Sequence, residues 1–363
     1  MTFLIFFLVL SVLVLVHEAG HFVMARILKI KVEEFALGLP FTRPIFKIRR
    51  KKGTQYSIYP LLFGGFVRLA GEDGPGDFYD RSKKYRLAVI LAGVVMNMVL
   101  AISLFVVIYG IAGVPVRQVD KVTIAGVEEG TPAKLAGLLV NDRIVAVENK
   151  PLTDANELGK LMKSWAGMGV NLTIERGQGT VLFEGVFEKN IEQKTINIVP
   201  RVNPPEGQGA LGIVLATYPY IETKRGTPVE SAIQGFKSTG MWIGRVFEGL
   251  RQIGGSLSKG KAPEGVSGPV GIYKLTGVVA AEGILPVLEL IAILSVNLGV
   301  FNVLPIPALD GGRAAFIVIE IVTKRRISAE TEQKVNSIGM MVLLGLMVLI
   351  SLQDVIRLGV LHF

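Results

Sequence analysis

The sequence predicts a polytopic α-helical membrane protein of about four transmembrane helices, with an inserted β-rich domain and a membrane-associated β-hairpin. Three observations predict it. Half of the 363 residues are hydrophobic and mean hydropathy is +0.50, high for a chain that folds in water. Four apolar runs approach the ~20 residues that cross ~30 Å of hydrocarbon. The stretch from about Pro115 to Gly283 contains no such run and is long enough for a module of its own.

The first run extends from Phe3 to Leu28. No Lys/Arg region or small-residue cleavage site accompanies it, so it reads as a retained span rather than a removable signal peptide. The segment Tyr56 to Leu69 is apolar but broken by Pro60 and Gly64-Gly65, which predicts a β-hairpin. A second span runs from Leu87 to Ala112. Beyond it, Val170-Asn171-Leu172-Thr173-Ile174 alternates as a half-buried strand does, and Asn156 to Lys163 reads as a short helix. Val229 to Leu257 is amphipathic, with Phe236, Trp242 and Phe247 beside Lys237, Arg245 and Arg251. It fits a helix lying on the outer membrane surface or one clamped on the helical core. A third span covers Ile284 to Leu304, with an apolar continuation from Ala314 to Val322, and a fourth covers Ile338 to Leu352. The expected divisions are 1–114, 115–215, 216–282 and 283–363.

Net charge is +9. A basic balance suits nucleic acid, but here the excess sits beside hydrophobic runs. Lys29, Lys31, Arg43, Lys47 and Arg49 to Lys52 follow the first, Arg81 to Arg86 precede the second, and Lys324-Arg325-Arg326 precede the fourth. That is the positive-inside pattern. It predicts a lipid bilayer and no nucleic acid as partner, with these loops cytoplasmic and both termini and residues 115–283 outside. The absence of cysteine excludes disulfides and thiolate metal sites.

Within the first run stands His17-Glu18-Ala19-Gly20-His21. Polar groups at bilayer depth are costly and by default functional, and two of the chain's three histidines are here. H-E-x-x-H is the zinc-hydrolase spacing. At 3.6 residues per turn both imidazoles share a helix face and reach one metal ion. Glu18 lies about a quarter turn away, suited to proton transfer rather than ligation. Catalytic zinc takes three protein ligands. Asp310 is the best source of the third, because Pro305 and Pro307 break the helix before it. Glu289 and Glu320 are rivals, and an N-cap is the plain alternative for Asp310. Glu320 reads as a partner of Lys324-Arg325-Arg326.

HEAGH in the first span, a β-rich insertion after the second, and Asn302-x-x-Pro305-x-Pro307-x-Leu309-Asp310-Gly311-Gly312 in the third, in this order, resemble the site-2 proteases. These are intramembrane zinc metalloproteases, and the likeness is greatest to the bacterial regulator-of-sigma-E group. The resemblance implies Zn2+ held by His17, His21 and Asp310, with Glu18 as acid/base. It implies that Asn302 and Asn297 bind substrate backbone, and that the hairpin around Gly64, Gly65 and Phe66 pairs with unwound substrate. The outer segment is similar to a single PDZ domain, with Ala210-Leu211-Gly212-Ile213 as its carboxylate loop. Implied substrates are pre-trimmed single-span proteins such as anti-sigma factors, or remnant signal peptides, in a bacterial inner membrane. Gly268-Pro269-Val270-Gly271-Ile272 is a further landmark without assigned chemistry. Two departures stand out. Enterobacterial members carry two PDZ domains where this length accommodates one, and Val94 follows Gly93 where the family often has proline. Asn97, three residues on, is expected to hydrogen-bond between helices. A non-catalytic scaffold and a zinc transporter are the alternative classes; the intact Glu18 and the lack of His-rich loops argue against both.

Overall fold

The computed structural model describes residues 1–38, 40, 42–49, 53–60, 64–72, 76–152, 154–205, 207–259 and 267–357. In chain order the elements are α1 (Thr2–Ile27), β1 (Val32–Leu37), β2 (Phe46–Arg49), β3 (Gln55–Ile58), β4 (Gly65–Leu69), α2 (Lys83–Ala112), β5 (Val114–Val127), α3 (Pro132–Leu135), β6 (Arg143–Val147), β7 (Lys150–Pro151), α4 (Ala155–Ser164), β8 (Val170–Leu182), β9 (Gly185–Ile198), β10 (Ile213–Lys224), α5 (Pro228–Ser258), α6 (Pro269–Ala281), α7 (Ile284–Val303), α8 (Asp310–Thr323) and α9 (Ala329–Arg357). They form two compact units. One joins Met1–Val107 to Ala232–Phe363, and the other is Ile108–Ser231.

In the first unit α1, α2, α7 and α9 are long and apolar enough to cross a membrane. Gly20 lets α1 approach α2 closely: a Cβ there would stand 2.3 Å from the Ala92 carbonyl oxygen. Val9 and Leu13 of α1 pack with Val279 of α6 and with Val287, Leu290 and Ile291 of α7. Trp242, Ile243 and Val246 of α5 pack on Ala101 of α2 and on Val296 and Val300 of α7. The amphipathic helix is therefore clamped on the helical core, although its Phe236 and Phe247 remain exposed. The Gly268 landmark is the start of α6. Asp354 of α9 accepts hydrogen bonds from the Gly268 and Gly271 N–H groups, both at 2.8 Å. A carboxylate on the last span thus caps the free N–H groups of a neighbouring helix.

The expected hairpin is corrected. Strands β3 and β4 do not pair with each other: the sheet order is β2-β3-β1-β4. β1 lies between them, parallel to β3 through Phe35↔Tyr56 and antiparallel to β4 through Phe35↔Val67. The charged pair Glu33-Glu34 disguises β1 in the sequence. Glu34 is nevertheless buried, because its Oε1 accepts from Gln55 Nε2 at 2.8 Å, Ser57 Oγ at 2.5 Å and Tyr59 OH at 3.2 Å. Residues 61–63, part of that expectation, lie outside the described residues.

The second unit is a sheet in the order β5-β10-β9-β8-β6-β7, with β5 also paired to β6 so that the sheet curls back on itself. Alternating Val170, Leu172 and Ile174 face the core with Val122, Ile124 and Ile144. Leu158 and Met162 of α4 cover it. Helix α4 starts at Asp154, whose carboxylate accepts from Asn156 N at 2.9 Å. Strand β10 carries the sheet to Lys224, paired with Val114 of β5. Residues 216–224, placed in a linker by composition, therefore belong to this sheet.

Candidate metal centre

Helix α1 brings His17 and His21 one turn apart, their Nε2 atoms separated by 3.1 Å. Helix α7 ends at Val303. The chain then turns through Leu304–Leu309, Ile306 N donating to the Leu304 carbonyl at 2.7 Å, and α8 starts at Asp310. Asp310 does not cap this helix. The N-cap position is Leu309, and Asp310 Oδ2 lies 2.9 Å from His17 Nε2 and 3.2 Å from His21 Nε2. Gly311 and Gly312 make this turn: a Cβ on Gly311 would stand 2.0 Å from the Leu304 carbonyl oxygen, and one on Gly312 would stand 2.5 Å from that of Ile306.

The donor set fits a metal cation. His21 Nδ1 lies 2.9 Å from the Val89 carbonyl oxygen. A carbonyl only accepts, so Nδ1 carries a proton, and in the neutral imidazole Nε2 then carries a lone pair. His17 Nδ1 lies 3.1 Å from the Asn97 side-chain amide, which is fully buried. Among the described residues Asn97 Oδ1 has no hydrogen-bond partner. A half-turn of the amide presents it to the His17 Nδ1–H, freeing Nε2 in the same way. Asp310 Oδ2 is buried without a hydrogen-bond donor among the described residues. Three lone-pair atoms within about 3 Å of one another are what a bound cation reconciles, and zinc accepts this imidazole and carboxylate set.

Glu18 borders a cavity of about 340 Å³ lined also by His21, Phe66, Val67, Asp310 and Arg313. Its carboxylate faces the Val67 backbone N–H. A Cβ on Gly65 would stand 2.8 Å from the Ala36 carbonyl oxygen and 3.6 Å from Glu18 Cγ, so glycine brings β4 against the glutamate. Gly64 precedes the strand with φ 99°, and its carbonyl accepts from Gly38 N at 2.8 Å. Asn297 and Asn302 stand on α7, Asn302 buried, and neither lines this chamber.

The rival carboxylates go elsewhere. Glu320 pairs with Arg86 at 3.0 Å and accepts from Ile327 N at 3.1 Å. Its partner is thus a buried arginine of α2 rather than the Lys324 cluster. Glu289 is buried on α7 and is outside the His17–His21–Asp310 cluster, which is the one metal-capable group found among the described residues.

Sequence reasoning noted Gly93 but gave it no role at the site. A Cβ there would lie 2.5 Å from His21 Nε2 and 2.7 Å from His17 Cε1, so glycine makes room for both rings. The signal was present: Gly93 and Asn97 are one turn apart on α2, on the face that meets the two histidines.

Two imidazoles and a carboxylate converging inside apolar helices, with a glutamate beside them, define a membrane-embedded metal hydrolase. The sequence comparisons agree. The model of peptidase family M50 matches residues 5–346. A protein of Clostridium acetobutylicum, named as a zinc metalloprotease, is 32% identical over 96% of both chains. One of Fusobacterium nucleatum is 31% identical over 99% of both, and one of Agrobacterium fabrum is 29% identical over 96% of this chain and 94% of its own. Both carry the same description. The chain belongs to peptidase family M50, the site-2 proteases, and is a zinc metalloendopeptidase.

Proposed function

We propose that this protein hydrolyses peptide bonds inside the transmembrane segments of single-span proteins, with His17, His21 and Asp310 as zinc ligands and Glu18 as the proton carrier. The convergence of these four side chains between α1 and α8 carries the reading. Zinc bound there would act as a Lewis acid towards a water molecule and the scissile carbonyl. Glu18 takes the proton of the attacking water and passes it to the leaving amine. Val89 and Asn97 hold the two imidazoles with their Nε2 atoms toward the metal position.

A helical peptide bond is shielded from attack, so the substrate must be presented extended. β4 is the edge of its sheet and runs beside Glu18, which supports strand addition as the mode of presentation. Asn302 and Asn297 would hold the other side of the unwound segment. The position of Asn302 just before the turn that delivers Asp310 favours it over Asn297.

The basic loops lie on the cytoplasmic side in this reading, with both termini and the Ile108–Ser231 unit outside, in a bacterial inner membrane. That unit acts as a PDZ-type module. Among the described residues β10 pairs with β9 only at Tyr220 and Ile221, so its edge from Ile213 to Thr217 is open to a peptide strand. Substrates are proteins already trimmed outside, such as anti-sigma factors, or remnant signal peptides.

Reconstitution in liposomes with a single-span substrate tests this. Mass spectrometry should locate the new C-terminus within the apolar segment, with cleavage abolished by a chelator and restored by zinc. Cleavage confined to sequence outside the span, or indifferent to chelation, contradicts it.

A further inference from the structure

Glu72 follows β4, and Arg313 lies one turn after Asp310 on α8; 241 residues separate them, and Arg313 Nη1 pairs with Glu72 Oε1. The other oxygen of the same carboxylate accepts the Leu69 backbone N–H at 3.1 Å. Leu69 is the last residue of β4. One carboxylate thus ties the end of the edge strand to the helix that carries Asp310. At the middle of the strand the Val67 N–H faces the Glu18 carboxylate. β4 therefore lies against α1 at Glu18 and is tied to α8 at its end.

Both side chains of the ion pair border the chamber that contains Glu18, and both also border an adjoining cavity of about 450 Å³ lined by Tyr79, Glu332 and Asn336. The pair stands where the two spaces meet. An extended peptide laid on the β4 edge runs past Glu18 at Gly65 and reaches the pair beyond Leu69.

We propose that Glu72 and Arg313 are positioning residues for peptide hydrolysis: their ion pair fixes β4 relative to the Asp310 turn, and so fixes which bond of a strand-paired substrate faces the metal ligands. The inference rests on the strand-addition reading above. Pairing on a strand has a period of two residues, so a loosened β4 admits registers displaced by two. The Glu72–Arg313 contact is then a device for cleaving at one bond.

The test uses the purified full-length enzyme and one single-span substrate. Zinc content, kcat, KM and the cleaved bonds are determined for wild type, Glu72→Gln, Arg313→Gln and Arg313→Lys. The neutral variants should keep their zinc and lose on the order of tenfold to a hundredfold in kcat, the scale of a small misplacement of reacting groups. They should also cut at additional bonds two residues away. Arg313→Lys, which keeps the cation, should retain the single bond. A neutral variant that keeps zinc and cuts only the wild-type bond overturns the proposal. So does Arg313→Lys cutting as diffusely as Arg313→Gln, and this variant decides if the neutral ones fail to fold. Wild type that cuts no transmembrane substrate defeats the broader functional reading instead, which separates the two failures.

Discussion

His17 and His21 are fixed by different groups, and each makes a separate prediction. The ring of His21 is held by a backbone carbonyl, Val89, which no substitution at that position removes. The ring of His17 depends on one side chain, Asn97. Replacing it with alanine should therefore weaken zinc binding by about 10- to 100-fold, as expected when an outer partner of a metal ligand is lost. Competition with a chromophoric chelator measures this. Gly93→Ala should cost at least as much, because its Cβ would enter the space of both imidazoles. Wild-type affinity in either variant would refute the assignment of these residues. The grouping of His17 and His21 was legible in the sequence because a fixed helical period relates them and because a polar cluster stands out in an apolar run. Their supports were not legible. A carbonyl has no sequence signature, and a glycine in an apolar helix reads as a weak packing residue until its neighbour is known.

At the level of elements, the spans were legible in their middles and obscure at their ends. α9 begins at Ala329, nine residues before the expected start at Ile338, because its first turns carry Glu330, Glu332, Gln333 and Lys334. Hydropathy discards such turns, although they are helical. β1 was missed for the related reason that Glu34 is buried by a polar network rather than exposed by its charge. Two ties between elements yield predictions. Glu320→Ala leaves Arg86 buried without its carboxylate, which should destabilise the helical unit by about 3–5 kcal/mol. Thermal unfolding in detergent should show it as a clear fall in midpoint. Asp354→Ala strands the buried Gly268 N–H, at about 1–3 kcal/mol, and the part-buried Gly271 N–H, and should raise hydrogen exchange at the α6 N-terminus and along the end of α9. Unchanged exchange there would mean that the cap contributes nothing to holding the fourth span.

On the scale of the whole molecule, the helical unit holds the complete cluster of candidate catalytic groups, and the Ile108–Ser231 unit is inserted between its two halves. The insertion enters and leaves through paired neighbours, Val114 and Lys224. Residues opposite one another on antiparallel strands are about 5 Å apart, so replacing 115–223 with a short Gly/Ser linker should leave the helices able to assemble. If the inserted unit excludes substrates that still carry a bulky domain beside the span, this shortened protein should cleave untrimmed and trimmed substrates at similar rates. Selectivity equal to that of the intact chain would show that the filter lies elsewhere. The division into spans and an insertion was readable from hydropathy. The closure of the sheet by β10 was not, because the pairing of Ile213–Lys224 with Val114–Val127 joins segments about a hundred residues apart by backbone hydrogen bonds that leave no local pattern.

The central claim is that Glu18 moves the proton while His17, His21 and Asp310 hold the metal. Its most direct test compares wild type with Glu18→Gln, measuring bound zinc and the rate of cleavage of one single-span substrate on the same preparations. Zinc should be equal in both, with cleavage reduced about 10²- to 10⁴-fold by loss of the general base. Equal zinc with an undiminished rate would contradict it, since the proton would then travel by a route that does not include Glu18.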